Sequence, residues 1–339
     1  MFDQAPVSSS EKVSWEEVVK MGDRVSRQAT IVGMLWTEQT PNARELEENM
    51  EAYFNTLQGF LLLSHGSTVG AGPTLSSCVH ASVKRVVDSS FHLLKESVSS
   101  FGANEKRPLP QLVGTVWEAC SALGKTPGTN ITAVGRAMMK VAVSVKDVLR
   151  EMKELKPGST DPTDDITNQA CTKAESEPQD DDDDDDLSDG DLGNDLSPEE
   201  MKVAQSTITV VSETLVVLKE LIRSITSLLK TEDLKDSGSF VDSLEKLLKQ
   251  CQDIGEHVDE LGACLYPPQE VPAMMAAVGK ITSIVGDMQK EVESLKGTSE
   301  AFLQACNGLK SSLTQLNSEL GCSSPSDLEA KMQKVDLNN

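Results

Sequence analysis

Four histidines, seven cysteines and an unbroken run of aspartates carry most of the chemical potential of this 339-residue chain, and their spacing decides what they can do. His65, His80, His92 and His257 are isolated: no two stand four apart, and neither H-E-x-x-H nor C-x-x-C occurs. Metal sites need such pairs because one helical turn or one tight loop must aim two ligands at one ion. The histidines are therefore expected at surfaces and helix ends. Cys120, Cys251 and Cys306 fall on apolar stripes, where a thiol acts as a small hydrophobic filler. The stretch Gly66-Ser67-Thr68-Val69-Gly70-Ala71-Gly72 has the glycines of a phosphate loop but no following Lys-Ser or Lys-Thr and no preceding strand, so it reads as an interhelical connection. Asp180 to Asp186 lack the central glycine and spaced ligands that fold a loop around calcium. Asn130-Ile131-Thr132 matches a glycosylation acceptor, expected to be inert without a secretory route. The residues point to no catalytic group, metal or cofactor, and the expectation is a protein that is not an enzyme.

The elements around these residues are uniform. A first helix over 11–38 shows Val18, Val25, Ala29, Val32 and Trp36; a second over 43–65 shows Leu46, Met50, Tyr53, Leu57 and Phe60. Pro73 opens a third, with Val87, Phe91, Leu94, Val98 and Phe101 as its stripe, ending at Gly102. A fourth carries Leu109, Leu112, Val116, Ala119 and Leu123, and a fifth, over 129–156, Val134, Met138, Val141, Val145, Val148, Met152 and Leu155. Four more follow the aspartates: Val211 to Leu229, Leu247 to Leu265, Val278 to Leu295 and Phe302 to Leu320, each apolar at alternating three- and four-residue steps. No segment alternates with period two. Pro and Gly interrupt the seam too often for one long coiled coil, and short connections force antiparallel neighbours. The expected fold is all-α: two antiparallel helical bundles of five plus four helices, joined by a disordered acidic linker. The expected division is 1–158, an N-terminal bundle; 159–196, the linker; and 197–339, a C-terminal four-helix bundle. With aromatics at 4%, the cores must be mostly aliphatic.

Charge narrows the partners. Between Ser159 and Glu200 there are 17 Asp or Glu against the single Lys173, so this segment holds −16 of the chain's −23. Seven adjacent carboxylates repel one another and cannot be buried, which predicts an extended, solvated tether. The only basic doublets, Lys84-Arg85 and Lys106-Arg107, are too few to release counterions from a nucleic acid, and acidic membrane surfaces are disfavoured for the same reason. Partners with basic surfaces are favoured. The opening MFDQAPVSSSEK is polar, no apolar run reaches bilayer length and the odd cysteines form no framework, so cytoplasm and nucleus are the expected compartments.

Six residues stand out as possible interaction or modification sites. Trp117, beside Val116, is expected to close the N-terminal core, with a groove-lining anchor for a partner helix as the alternative. Tyr266-Pro267-Pro268 is expected to end one helix and seed the next turn, or to present a stiff exposed corner. Ser188, followed by Asp189-Gly190-Asp191, is the best acidic-context phosphorylation candidate. Ser197-Pro198-Glu199-Glu200 spells a helix start with Ser as N-cap and Glu closing a capping box, and a phosphate on Ser197 would also suit a helix N-terminus.

Val25-Ser26-Arg27-Gln28-Ala29-Thr30, Val116-Trp117-Glu118-Ala119-Cys120 and Leu265-Tyr266-Pro267-Pro268, in this order around the acidic break, resemble the cyclin-D-binding (cyclin-D-interacting, GCIP-like) family over nearly the whole chain. The resemblance implies talin- and vinculin-like helical bundles and a non-enzymatic regulator. Such a regulator binds D-type cyclins and helix-loop-helix transcription factors, restrains cell-cycle progression, and occupies nucleus and cytoplasm. It brings no catalytic residue. The nearly pure a/d seams beyond the tether favour the C-terminal bundle as the partner-binding half. A cytoskeletal or adhesion adaptor of the same bundle type is the second reading.

Overall fold

The computed structural model describes residues 12–35, 42–101, 109–155, 196–228, 238–295 and 299–322. Among these residues the chain forms nine α-helices and no strand: α1 Trp15–Met34, α2 Ala43–Ser67, α3 Pro73–Ser100, α4 Leu109–Leu123, α5 Asn130–Met152, α6 Pro198–Ser227, α7 Gly238–Ala263, α8 Val271–Ser294 and α9 Glu300–Cys322. The all-α plan read from the sequence, five helices ahead of the acidic stretch and four beyond it, is the one observed. The tether lies outside the described residues except at its last position: Leu196, expected to be part of it, is buried, so the folded region starts one residue earlier. Leu196 stands immediately before an N-cap, where a buried apolar side chain fixes the entry of the chain into the helix.

That N-cap is Ser197. Its Oγ accepts from the Glu200 N–H (3.2 Å) while the Glu200 carboxylate accepts from the Ser197 N–H (2.9 Å). The Ser197 backbone and hydroxyl bonds hold the Glu200 carboxyl below its ordinary value. Ser197→Ala is expected to remove about 0.5–2 kcal/mol at neutral pH, measured by urea unfolding. Because the folded-state pKa of Glu200 is depressed, its share of the box is present above pH 4.5 and is lost as the pH falls below that value. Equivalent boxes start two other helices: Ser14 with Glu17, which puts α1 at Trp15 rather than Glu11, and Asn42 with Glu45 at the start of α2.

In the N-terminal helices α1 packs on α2 and α4, and α3 on α4. Their shared interior contains Val18, Val25, Ala29, Val32, Tyr53 and Phe60, as the first two stripes predict. Trp36 lies outside the described residues. The third stripe departs from expectation. On α3 the buried positions are Leu75, Val79, Val86, Ser90, Leu93, Leu94, Ser97 and Ser100; of the expected stripe Leu94 is buried and Val87 half-buried, and three of the buried seats are serine. Tyr53 explains one of them: its hydroxyl donates to Ser90 Oγ at 2.9 Å inside the core, and burial pushes the phenol up to about 12. Ser97 satisfies its own hydroxyl by donating to the Leu93 carbonyl (2.8 Å). Phe91, Val98 and Phe101, read as core from the sequence, are exposed.

The glycine loop before α3 does more than connect. Gly70 adopts φ 72°, the left-handed region in which a side chain is strained. Gly72, the N-cap of α3, offers no side chain, and the missing acceptor comes from α7: Thr74 donates its N–H (3.0 Å) and its Oγ1 (2.6 Å) to the Glu245 carboxylate. Asn130 at the start of α5 accepts from the Gly72 N–H (2.8 Å) and donates to the Gly70 carbonyl (2.9 Å). Asn130 is buried, so its amide is enclosed by these two bonds and unavailable as a glycan acceptor.

The last three helices close their stripes as read, and on α6 Val211, Leu215, Leu218 and Ile225 are buried, Ile222 is half-buried and Leu229 lies outside the described residues. Leu247, Cys251, Ile254, Val258, Leu261 and Leu265 are all buried, as are Val278, Ile281, Val285, Met288, Val292 and Leu295, and so is the whole set from Phe302 to Leu320. Ser206 of α6 donates to Glu319 of α9 (2.5 Å), and Lys246 of α7 pairs with Glu291 of α8 (2.5 Å). The compact units defined by contacts do not follow covalent order. One comprises 1–141, 218–252 and 288–302, the other 142–217, 253–287 and 303–339. Each draws chain from both sides of the acidic stretch.

Candidate partner-binding surface

The histidines and two of the cysteines lie in contrasting environments. His65, His80 and His92 are exposed, and half-buried His257 places Nδ1 3.1 Å from Glu260 Oε2. Burial pushes the Cys120 thiol up to about 12 and that of Cys251 further up, so neither presents a thiolate at neutral pH.

Trp117 does not close the core. It is 46% exposed, and its Nε1 donates to Thr30 Oγ1 (3.0 Å), an outer tie between α4 and α1. The closing role falls to Trp15, which packs against the core and donates Nε1–H to the Leu123 carbonyl (3.0 Å). Sequence reasoning misses Trp15 because it stands at the first position of α1, ahead of the stripe. Tyr266, Pro267 and Pro268 form the connection between α7 and α8, with Tyr266 and Pro268 exposed. Gln269, the next residue, donates to the Leu265 carbonyl (3.3 Å) and to the Glu200 carbonyl (3.1 Å), tying this corner to the first turn of α6. Trp117 belongs to the first compact unit; Tyr266, Pro267, Pro268 and Ser197 belong to the second. Ser188 lies outside the described residues.

Tyr266 lines a cleft of about 350 Å³ with Val148 and Met152 of α5 and Asp259 and Gly262 of α7. Glu151 shares this cleft, and the Asp259 carboxyl is pushed up first by desolvation and then by the like charges of Glu151 and Glu256. An acid raised in the fold binds protons more readily there than in the unfolded chain. Its unfavourable contribution is therefore absent below pH 3.8 and grows as the pH rises through that value. Asp259→Asn is expected to raise Tm at neutral pH and to leave it unchanged near pH 3, as measured by thermal unfolding across that range.

A wider depression lies on the first unit. It has a volume of about 620 Å³ and is walled by Leu46, Met50 and Phe54 of α2 and by Phe101 at the end of α3, with Glu47 and Glu51 on its rim. The Tyr53–Ser90 bond sets α2 and α3 side by side, and their antiparallel course brings Phe101 level with the first turns of α2. Phe54 and Phe101 are 48% and 42% exposed. Phe91, Val98 and Phe101 recur at seven and three residues, so the aromatic wall is one end of an apolar stripe along the outer face of α3. The sequence contains this stripe, and counting apolar residues assigns it to the core. The signal that separates the two is the second heptad beneath it, whose serines look polar until Tyr53 supplies a reason to bury one.

Helical bundles that display apolar and aromatic side chains on an outer face form a class of interaction proteins, in which a few exposed anchors carry much of the binding energy. The chain belongs to the Grap2 and cyclin-D-interacting family: the model of the family's N-terminal region matches residues 17–158 and that of its C-terminal region residues 179–290. It is similar to the Cyclin-D1-binding protein 1 homolog of Xenopus laevis, with 22% identity over 272 residues, covering 80% of this chain and 77% of the relative. The Cyclin-D1-binding protein 1 homolog of Danio rerio is also 22% identical, over 275 residues, covering 80% of this chain and 74% of the relative.

Proposed function

We propose that this protein regulates cell-cycle progression or transcription by binding D-type cyclins and helix-loop-helix factors, and that it does so by occupancy, without catalysing a reaction. Membership of the family and the names its relatives carry support cyclin binding. The observation that carries the reading to this chain is the placement of its apolar side chains. The seams of α7, α8 and α9 are consumed by their own core, whereas Phe54, Leu62, Phe91, Val98 and Phe101 stand exposed on α2, α3 and the residue that follows it. On this reading the binding surface lies on the N-terminal helices; the C-terminal bundle, favoured on the sequence alone, displays Val216, Tyr266 and Met275. Nuclear and cytoplasmic residence and phosphorylation of Ser188 in its acidic context belong to the same proposal.

Affinity capture of purified D-type cyclin by the full chain, beside an A-type cyclin as control, tests it. The expected result is saturable capture of the D-type cyclin alone. Equal capture of both, or of neither, overturns the cyclin assignment. Capture of a dimeric helix-loop-helix domain by the same chain, abolished by excess unlabelled domain, is the corresponding expectation for the second partner class.

A further inference from the structure

We infer that the α2 groove is the seat of a partner's amphipathic helix whose apolar anchors are flanked by Lys or Arg. The inference rests on the protein-binding reading above and names its site. Leu46, Met50 and Phe54 recur every four residues along α2, and Phe101 closes the opposite wall, so the apolar floor runs parallel to a helix axis. From Leu46 to Phe54 the rise is about 12 Å, a little over two turns, which matches anchors at i, i+4 and i+7 of an inserted helix.

Charge decides between occupants. Glu47 and Glu51 flank the floor, are exposed, and have no ion-pair partner among the described residues, whereas Glu48 is already held by Arg44 (2.9 Å). A second copy of this chain docked face to face would bring Glu47 and Glu51 against their own equivalents, a like-charge arrangement that specific interfaces avoid. An anionic membrane surface is repelled for the same reason. A helix with cationic flanks gains from both glutamates while its apolar face covers Phe54 and Phe101. Those two rings, large and half open to water, are the residue type that dominates such interfaces once desolvated.

The test uses the full chain and a fluorescent synthetic helical peptide with Leu at i, i+4 and i+7 and Lys at the flanking positions, beside a counterpart in which every Lys is Glu. Anisotropy titration is expected to show saturable binding of the cationic peptide and none of the anionic one. Phe54→Ala is expected to weaken the cationic peptide about tenfold or more. The pair Glu47→Lys with Glu51→Lys should weaken it by a similar factor and admit the anionic peptide. Val143→Ala, at an exposed apolar position on α5 that does not line the groove, should leave it unchanged. The substituted side chains are solvent-exposed, and an unchanged thermal melt confirms that the fold is intact. Binding that survives Phe54→Ala and the charge reversal undiminished assigns the peptide to the aspartate run and overturns the inference, as does failure of the cationic peptide to bind. The peptide series decides the groove alone. Capture of D-type cyclin by the unsubstituted chain, run in parallel, decides the cyclin reading, so either can fail while the other stands.

Discussion

Phe60→Ala should lower the unfolding free energy by about 3–5 kcal/mol, whereas Phe91→Ala should change it by no more than about 0.5 kcal/mol. Both phenylalanines stand in helices of the same bundle and look alike in sequence. Phe60 is 0% exposed in the interior shared by α1, α2, α3 and α4, so truncation removes its transfer free energy and leaves a cavity among rigid neighbours. Phe91 is 62% exposed, so its ring loses little on truncation. Urea unfolding of the two variants with a common m-value makes the comparison direct. Equal losses would return the outer stripe of α3 to the core and remove the basis of the groove.

Gly72→Val is expected to destabilise the protein by about 1–3 kcal/mol, because its Cβ would lie 2.7 Å from both Glu245 Oε1 and Val241 Cγ1. The approach is this close because Glu245 must reach past Gly72 to accept from Thr74. Glu245→Ala, which leaves the Thr74 N–H and hydroxyl without their acceptor, should lose about 1–3 kcal/mol by itself. The two losses should fall short of additive when combined, since the introduced valine then meets only Val241. A double-mutant cycle by urea unfolding reads the difference, and strict additivity would show that the glycine and the carboxylate act independently.

How much of this is legible in the sequence depends on competition within each helix. Along α7, α8 and α9 every residue of the expected stripe is buried, and further apolar residues such as Leu244, Leu248, Met274 and Ala305 are buried as well. On α3 two apolar series run one position apart. The more hydrophobic of them, Phe91, Val98 and Phe101, wins any count of hydrophobicity, yet the buried one contains Ser90, Ser97 and Ser100. Ser90 enters that seam because Tyr53 brings a hydroxyl that must be partnered, and this requirement belongs to another helix. The Ser197 capping box is readable because both members lie within four residues. The carboxylate that caps α3 is not, since Glu245 is 171 residues from Thr74. Trp117 is misplaced for a related reason: an indole next to a core valine looks internal, and only the packing of α1 on α4 shows that Trp15 is the ring that turns inward.

The interleaved makeup of the two compact units bears on how the molecule can be dissected. A protease nick within the aspartate-rich stretch would sever the backbone without removing any helix from either unit, so the two fragments should co-elute and remain folded until denaturant separates them. Expressing either fragment by itself would instead strip both units of helices they need. Loss of binding by an isolated half would then report a missing scaffold rather than a missing epitope.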